Sequence, residues 1–253
     1  MAGAQKRVLV TRPEPGASST ARELELMGFE PVKLPLQEIR PLAPPGLVPG
    51  GIAAVAVTSA NAVRHAPANL LAALKGFACF TVGEATAAAA RDGGFTDIRE
   101  GGGDAIALAR VLIRSNPDGM IAYLCGKVRL PHFETALAAA GVATAAIETY
   151  DTVVLDRAAA RIADAVGGQR LDYALVYSAN AAKSLAGLIE ESEVKALFET
   201  TTLICISPRA AEVFGRGPRG KPEGKILVAG EPTEMSLLSL LSGHVAADAK
   251  IAP

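Results

Sequence analysis

Short apolar runs alternate along the chain with stretches whose apolar residues recur every three or four positions. Val8-Leu9-Val10 predicts a buried strand. Ala17, Ala21, Leu24 and Met27 follow at helical spacing, and Gly28 stands where a helix often ends. Pro31-Val32-Lys33-Leu34 predicts the next strand. The same alternation predicts strands at 54–58, 77–82, 96–98, 121–124, 143–147, 173–177, 203–206 and 225–228, with helices between them. Asp104 precedes Leu108 and Leu112, and Thr233 precedes Leu237, Leu240 and Leu241, so both read as N-caps. Strand-helix-strand order with short connections predicts an α/β protein with parallel sheets covered by helices on both faces.

The pattern repeats. Thr58-Ser59-Ala60-Asn61-Ala62 closes one strand and Tyr177-Ser178-Ala179-Asn180-Ala181 closes another. One strand later come Val82-Gly83-Glu84-Ala85 and Ile206-Ser207-Pro208-Arg209. Upstream, Val10-Thr11-Arg12-Pro13 with Leu24 and Gly28 resembles Leu124-Cys125-Gly126-Lys127 with Leu137 and Gly141. The offsets stay between about 113 and 129 residues, the mark of an internal duplication. The chain therefore reads a-b-a-b, where a is a β-α-β unit and b carries three strands.

Taken alone, the repeat splits the chain near Asn116-Pro117. Two other segments argue for a different division. The stretch from Pro35 to Gly51 is rich in proline and glycine and reads as a connector. Glu148 to Leu155 reads as a second extended crossing. The expected architecture is two doubly wound parallel-sheet domains of five strands each, joined by a two-stranded extended linker. Residues 1–36 and 156–253 form the first domain, and 37–155 form the second with both linker segments.

Composition narrows the function. Half the residues are apolar, mostly Ala, Val, Leu and Ile, which suits strands buried on both faces. A net charge of -1 gives no basic field for nucleic acid, and 4% aromatics with no Trp leave no base-stacking platform. No apolar run reaches the roughly 20 residues of a membrane helix. The N-terminus lacks the apolar stretch of a signal peptide. A cytoplasmic location is expected, without a membrane or nucleic-acid partner.

Ligands of open parallel sheets bind outside the carboxyl ends of the strands, and the repeated motifs all sit there. Each places a small or polar residue at the start of a helix, where unpaired N–H groups favour anions. Ser59, Asn61, Ser178, Asn180 and Ser207 read either as helix caps or as ligand contacts. Arg12, Arg64, Lys127, Arg129, Lys183 and Arg209 lie near the same edges and favour an anionic ligand. Glycines 101 to 103 match neither a dinucleotide fingerprint nor a phosphate loop. His65, His132 and His244 are far apart without a carboxylate or Cys at ligand spacing, so no metal site is expected and each reads as a surface or capping histidine. Cys79 and Cys205 read as core residues. Cys125 follows a strand and is expected to be the most exposed of the three.

These motifs, in this order, resemble the uroporphyrinogen-III synthase family. The resemblance runs through Val8-Leu9-Val10-Thr11-Arg12-Pro13, Leu34-Pro35-Leu36-Gln37-Glu38-Ile39 and Val57-Thr58-Ser59-Ala60-Asn61-Ala62-Val63. It continues through Val82-Gly83-Glu84-Ala85-Thr86-Ala87, Glu148-Thr149-Tyr150-Asp151-Thr152 and the segment from Val228 to Leu241. It implies a monomeric lyase of porphyrin and heme biosynthesis that needs no cofactor. The substrate would be hydroxymethylbilane, a linear tetrapyrrole with eight carboxylates. It would lose its terminal hydroxyl as water and close through a spiro intermediate that inverts the last ring. The resemblance makes Tyr150 the candidate for assisting hydroxyl departure. It makes Thr58, Ser59, Asn61, Ser178, Asn180 and Ser207 candidate substrate contacts, joined by Arg12, Gly83, Gly126 and Lys127 from the same motifs. Two positions depart from the family pattern. Cys125 stands where many relatives carry Arg, with Lys127 or Arg129 as replacement charges. Arg209 stands where a small polar residue often follows the Pro.

Two other readings compete. A non-catalytic two-lobed module for an anionic small molecule fits the same edges. A glycosyl- or phosphotransferase with two lobes would call for an acidic metal pair or a nucleotide loop, and neither is present in the sequence.

Overall fold

The computed structural model describes residues 5–43, 50–115, 118–155, 159–215 and 224–251, with the side chains of 159–161, 192–193 and 246–251 outside that description. The chain opens with β1 (Arg7–Val10), α1 (Gly16–Leu26) and β2 (Glu30–Lys33). Next come β3 (Gln37–Pro41), β4 (Ile52–Val57), α2 (Ala60–Arg64), α3 (Ala68–Leu74), β5 (Ala78–Thr81), α4 (Glu84–Asp92), β6 (Ile98–Glu100) and α5 (Ala105–Ser115). After β7 (Met120–Gly126), α6 (His132–Ala139) and β8 (Thr144–Val154), the last part holds α7 (Ala159–Val166), β9 (Tyr173–Val176), α8 (Ala179–Glu190) and α9 (Ser192–Phe198). β10 (Thr202–Cys205), α10 (Pro208–Gly215), β11 (Ile226–Val228) and α11 (Glu234–Ile251) complete it.

The elements fall into two units, Met1–Glu38 with Val154–Pro253, and Ile39–Val153. The first unit holds a sheet in the order β11-β10-β9-β1-β2, and the second one in the order β3-β8-β7-β4-β5-β6. Reversed and stripped of β3, the second order becomes β6-β5-β4-β7-β8, which matches the first strand for strand. The a-b-a-b pattern is therefore visible in the topology. The first β-α-β unit, β1 to β2, shares a sheet with β9 to β11, and the second, β7 to β8, shares one with β4 to β6.

All strands of the first sheet pair in parallel. So do β4 to β8 of the second. Its sixth strand corrects the expected count of five. Gln37–Pro41, the start of the proline-rich stretch, is a strand beside β8 rather than a plain connector. Leu42 N–H donates to Thr149 O, and Leu155 N–H donates to Leu36 O. Residue numbers rise on one strand as they fall on the other, so this pair is antiparallel. Residues 44–49 of the same stretch, and the Asn116-Pro117 split point, lie outside the described residues.

Alternation along each strand builds the cores. In β1, Val8 and Val10 pack with α1 and α11, through Ala17, Leu24, Leu237 and Leu241. Leu9 faces the opposite way, onto Ile162 of α7, Leu185 of α8, Phe198 of α9 and Phe214 of α10. In β4, Val55 and Val57 pack on α2, α3 and α4, while Ala54 and Ala56 face α5 and α6. A buried leucine or phenylalanine of this kind contributes about 1.5–3 kcal/mol. The local signals agree with this packing. Gly28, at φ +83°, ends α1 in a conformation that β-carbons disfavour. The Asp104 carboxylate accepts from Ala107 N–H before α5, and the Thr233 hydroxyl accepts from Ser236 N–H before α11.

Candidate active site

In a doubly wound sheet the chain runs outward in both directions from one central pair of strands, and a crevice opens at their carboxyl ends. In the first unit this pair is β1 and β9; in the second it is β7 and β4. The sequence-predicted residues sort onto those edges. Arg12 and Ser178 follow β1 and β9, Thr58 and Ser59 follow β4, and Gly126 ends β7 with Lys127 just after it. Ser207 and Gly83 stand one strand further out, after β10 and β5. β1, β4, β5, β7, β9 and β10 each lead into a helix, and after β4, β9 and β10 a serine caps it.

At the first unit's edge, the buried Thr11 hydroxyl donates to Leu175 O at 2.8 Å, locking the ends of β1 and β9 together. Ser178 caps α8 by accepting from Ala181 N–H at 3.0 Å. Ser207 caps α10 more loosely, accepting from Ala210 N–H at 3.4 Å. Between these two helix starts lies a cavity of about 360 Å³, lined by Asn180, Lys183, Arg209 and Glu212 among others. Lys183 and Arg209 have no ion-pair partner among the described residues. Their charges are available to an anion in that cavity.

Arg12 is already engaged within the first unit. Its guanidinium pairs with Glu234 at 2.8 Å and lies 4.5 Å above the centre of the Tyr177 ring. Thr20 donates to the same Glu234 carboxylate. Tyr177 donates to it as well, at 3.3 Å. Burial pushes the Glu234 carboxyl up, but hydrogen bonds from Thr20 and Arg12, with the Arg12 charge, outweigh this and hold it below the usual range. Burial also raises the Tyr177 phenol to about 12. Arg12 is thus not a free cation, and any ligand carboxylate reaching it competes with Glu234.

At the second unit's edge, Ser59 caps the short α2 by accepting from Asn61 N–H at 3.3 Å. The Thr58 hydroxyl sits 2.8 Å from the Tyr123 hydroxyl. The Asn61 amide has no side-chain partner among the described residues. Gly83 precedes α4 in extended backbone, and its carbonyl accepts from Thr86 and Ala87. Lys127 is exposed and pairs with Asp151 at 3.4 Å. Tyr150 is half-buried on β8, and its ring stands 6.3 Å from that of His65, at the end of α2. Its phenol has no hydrogen-bond partner among the described residues. Burial, and then the Arg64 charge, lower the His65 pKa and favour its neutral form.

Two further expectations are corrected. Cys125 does not follow the strand but lies within it, 1% exposed, and its thiol is directed at Ile147 O at 3.8 Å. Burial raises that thiol to about 12, so it is neither exposed nor nucleophilic. Arg129 is no spare charge either, since it pairs with Glu134 at 2.9 Å and Glu148 at 2.7 Å. Arg64 ends α2, a helix away from the strand tip. Sequence reasoning missed Glu234, Tyr177 and Tyr123. Two of them are tyrosines in apolar strand segments, where the only signal is a hydroxyl that must find a partner once buried.

Among the described residues, no group of three His, Cys, Asp or Glu side chains is placed to hold a metal ion, and no helix is long and apolar enough to cross a membrane. The fold and its edges define an α/β protein of the doubly wound class, built twice, with polar groups and cations gathered at the strand ends. The family model described as uroporphyrinogen-III synthase HemD matches residues 18–238. The chain belongs to the uroporphyrinogen-III synthase family, lyases of tetrapyrrole biosynthesis. Among solved structures it is similar to the uroporphyrinogen-III synthetase of Helicobacter pylori 26695, at 16% identity and a TM-score of 0.64, over 95% of this chain and 99% of that one. A mutant uroporphyrinogen III synthase from the extremely thermophilic bacterium Thermus thermophilus is similar at 19% identity and a TM-score of 0.54, over 97% of this chain and 99% of that one. At these identities the likeness speaks for the fold. The search of curated proteins gave no match.

Proposed function

We propose that this chain closes hydroxymethylbilane to uroporphyrinogen III, with residues at the strand ends taking up the substrate's carboxylates. The observation that carries this reading is Tyr150, whose half-buried phenol has no hydrogen-bond partner among the described residues and lies against Gly126 at the tip of β7, near His65 at the end of α2. An O–H in that setting is free to donate to the substrate's terminal hydroxyl. The hydroxyl takes a proton and leaves as water, and the carbon it leaves becomes the electrophile. Attack on that carbon by the already substituted position of the last pyrrole gives the spiro intermediate. The ring is then released, turned over and rejoined. No step changes the oxidation state overall, so the chemistry calls for no redox cofactor.

The remaining groups hold one conformation of a flexible chain. Thr58, Ser59, Asn61, Gly83, Gly126 and Lys127 in one unit are the proposed carboxylate contacts, with Arg12, Ser178, Asn180 and Ser207 in the other. Lys183 and Arg209 support the same reading, because they bring positive charge to the cavity at the first unit's strand ends. Holding the ends of a substrate that otherwise closes unaided is a matter of proximity and orientation. The active species is taken to be a cytoplasmic monomer. Tyr150→Phe should slow formation of uroporphyrinogen III at least tenfold and leave the urea midpoint unchanged, and an unaltered rate removes Tyr150 from the mechanism.

A further inference from the structure

We infer that Gly126 and Thr149 are positioning residues that aim the Tyr150 phenol, by a strand bulge with an empty place beside it. This rests on the proposed role of Tyr150. The ladder between β7 and β8 shifts register at the tip: Cys125 pairs with Glu148, but Gly126 pairs with Tyr150. Thr149 is the extra residue. Side chains of a regular strand alternate between faces, and a bulge breaks that alternation. The break lets two neighbours turn the same way. The Thr149 hydroxyl, fully buried, donates to Ala62 O of α2 at 2.7 Å. Tyr150 packs on the same α2 side, against the cluster that includes Ala62 and Ile147. Without the bulge, Tyr150 would follow Glu148 to the opposite face, where Arg129 lies.

Gly126 completes the seat. A β-carbon there would come within 2.6 Å of Tyr150 Cζ and 2.9 Å of its hydroxyl oxygen. The glycine is not at positive φ, so close approach rather than backbone conformation is what requires it. Lys127 N–H donates to Tyr150 O at 2.9 Å and fixes the backbone on the far side of the same contact. Adding a methyl group at Gly126 pushes the phenol by about 1 Å, a displacement that costs a reaction about a hundredfold when geometry governs it.

The test is a double-mutant cycle on steady-state turnover of hydroxymethylbilane, with urea midpoints recorded for each variant. Gly126→Ala should lower kcat at least tenfold with KM within twofold of wild type. In the Tyr150→Phe background the same change should cost nothing further. Thr149→Val, which removes the bond to Ala62 without touching the phenol, should also lower kcat, and Thr149→Ser should recover most of that loss. Equal losses from Gly126→Ala in both backgrounds would overturn the inference, as would a rise in KM alone. Full activity in Tyr150→Phe, with a loss in Gly126→Ala, would instead sink the Tyr150 reading and the inference with it.

Discussion

Thr58→Val probes how the strand tip is held. Tyr123 is 2% exposed, and Thr58 is the hydrogen-bond partner of its hydroxyl, at 2.8 Å. Burial raises the Tyr123 phenol to about 12, and the Thr58 bond works against that rise. Valine matches threonine in shape but leaves the tyrosine hydroxyl buried without a partner, which costs about 1–3 kcal/mol. Tyr123→Phe removes the buried group instead. Thr58 is only partly buried and can turn to water, so the cost falls to about 0.5–1.5 kcal/mol. The double variant should resemble Tyr123→Phe, because nothing is left stranded. Urea unfolding reads all three, with tyrosine emission as the probe in a chain without Trp. At a slope of about 2 kcal/mol/M, Thr58→Val should lower the midpoint by about 0.5–1.5 M. A smaller loss than that of Tyr123→Phe, or additive losses in the double variant, would refute the reasoning.

Two other substitutions test the surroundings of the site. The Thr81 hydroxyl, at the end of β5, is buried with no partner among the described residues, so Thr81→Val should be neutral or stabilise by about 1 kcal/mol in the same urea assay. A clear destabilisation would mean that the hydroxyl is satisfied in solution. Glu234 has a folded pKa below its ordinary 4.5, so its contribution is present above that value and is lost as pH falls through the folded pKa. Glu234→Gln should therefore cost about 1 kcal/mol or less at pH 7, given its exposure, and should flatten the loss of stability below pH 4.5; an unchanged acid limb would contradict this.

Much of the architecture was legible because a strand buried on both faces leaves a plain apolar run. The central strands β1, β4, β5, β7, β9 and β10 announced themselves in this way, and the Ser-Ala-Asn repeat gave the order of the duplicated parts. β3 did not, because Pro35 and Pro41 mark a turn in most contexts. Edge strands tolerate proline, since one side of the ladder has no partner to lose, and β3 is an edge. The tip of β7 was misread for a related reason. Cys125-Gly126 looks like the end of a strand, whereas the bulge carries the pairing one residue further.

The candidate site was legible as a set of positions and not as a set of interactions. Caps such as Ser59 and Ser178 depend on neighbours two or three residues away, which the sequence displays. Arg12 depends on Glu234, at the other end of the chain, and its loss of freedom appears only after folding. The same holds for Arg129 and for the seat of Tyr150, where a glycine's value lies in what a distant strand puts beside it.

The central claim is that this chain directs ring closure rather than merely binding an anion. The direct measurement is the isomer composition formed from enzymatically made hydroxymethylbilane, oxidised and separated by chromatography, with and without the protein. The account predicts the type III isomer in its presence and the type I isomer in its absence. Type I alone in both samples would contradict the account and leave a two-lobed binding module in its place.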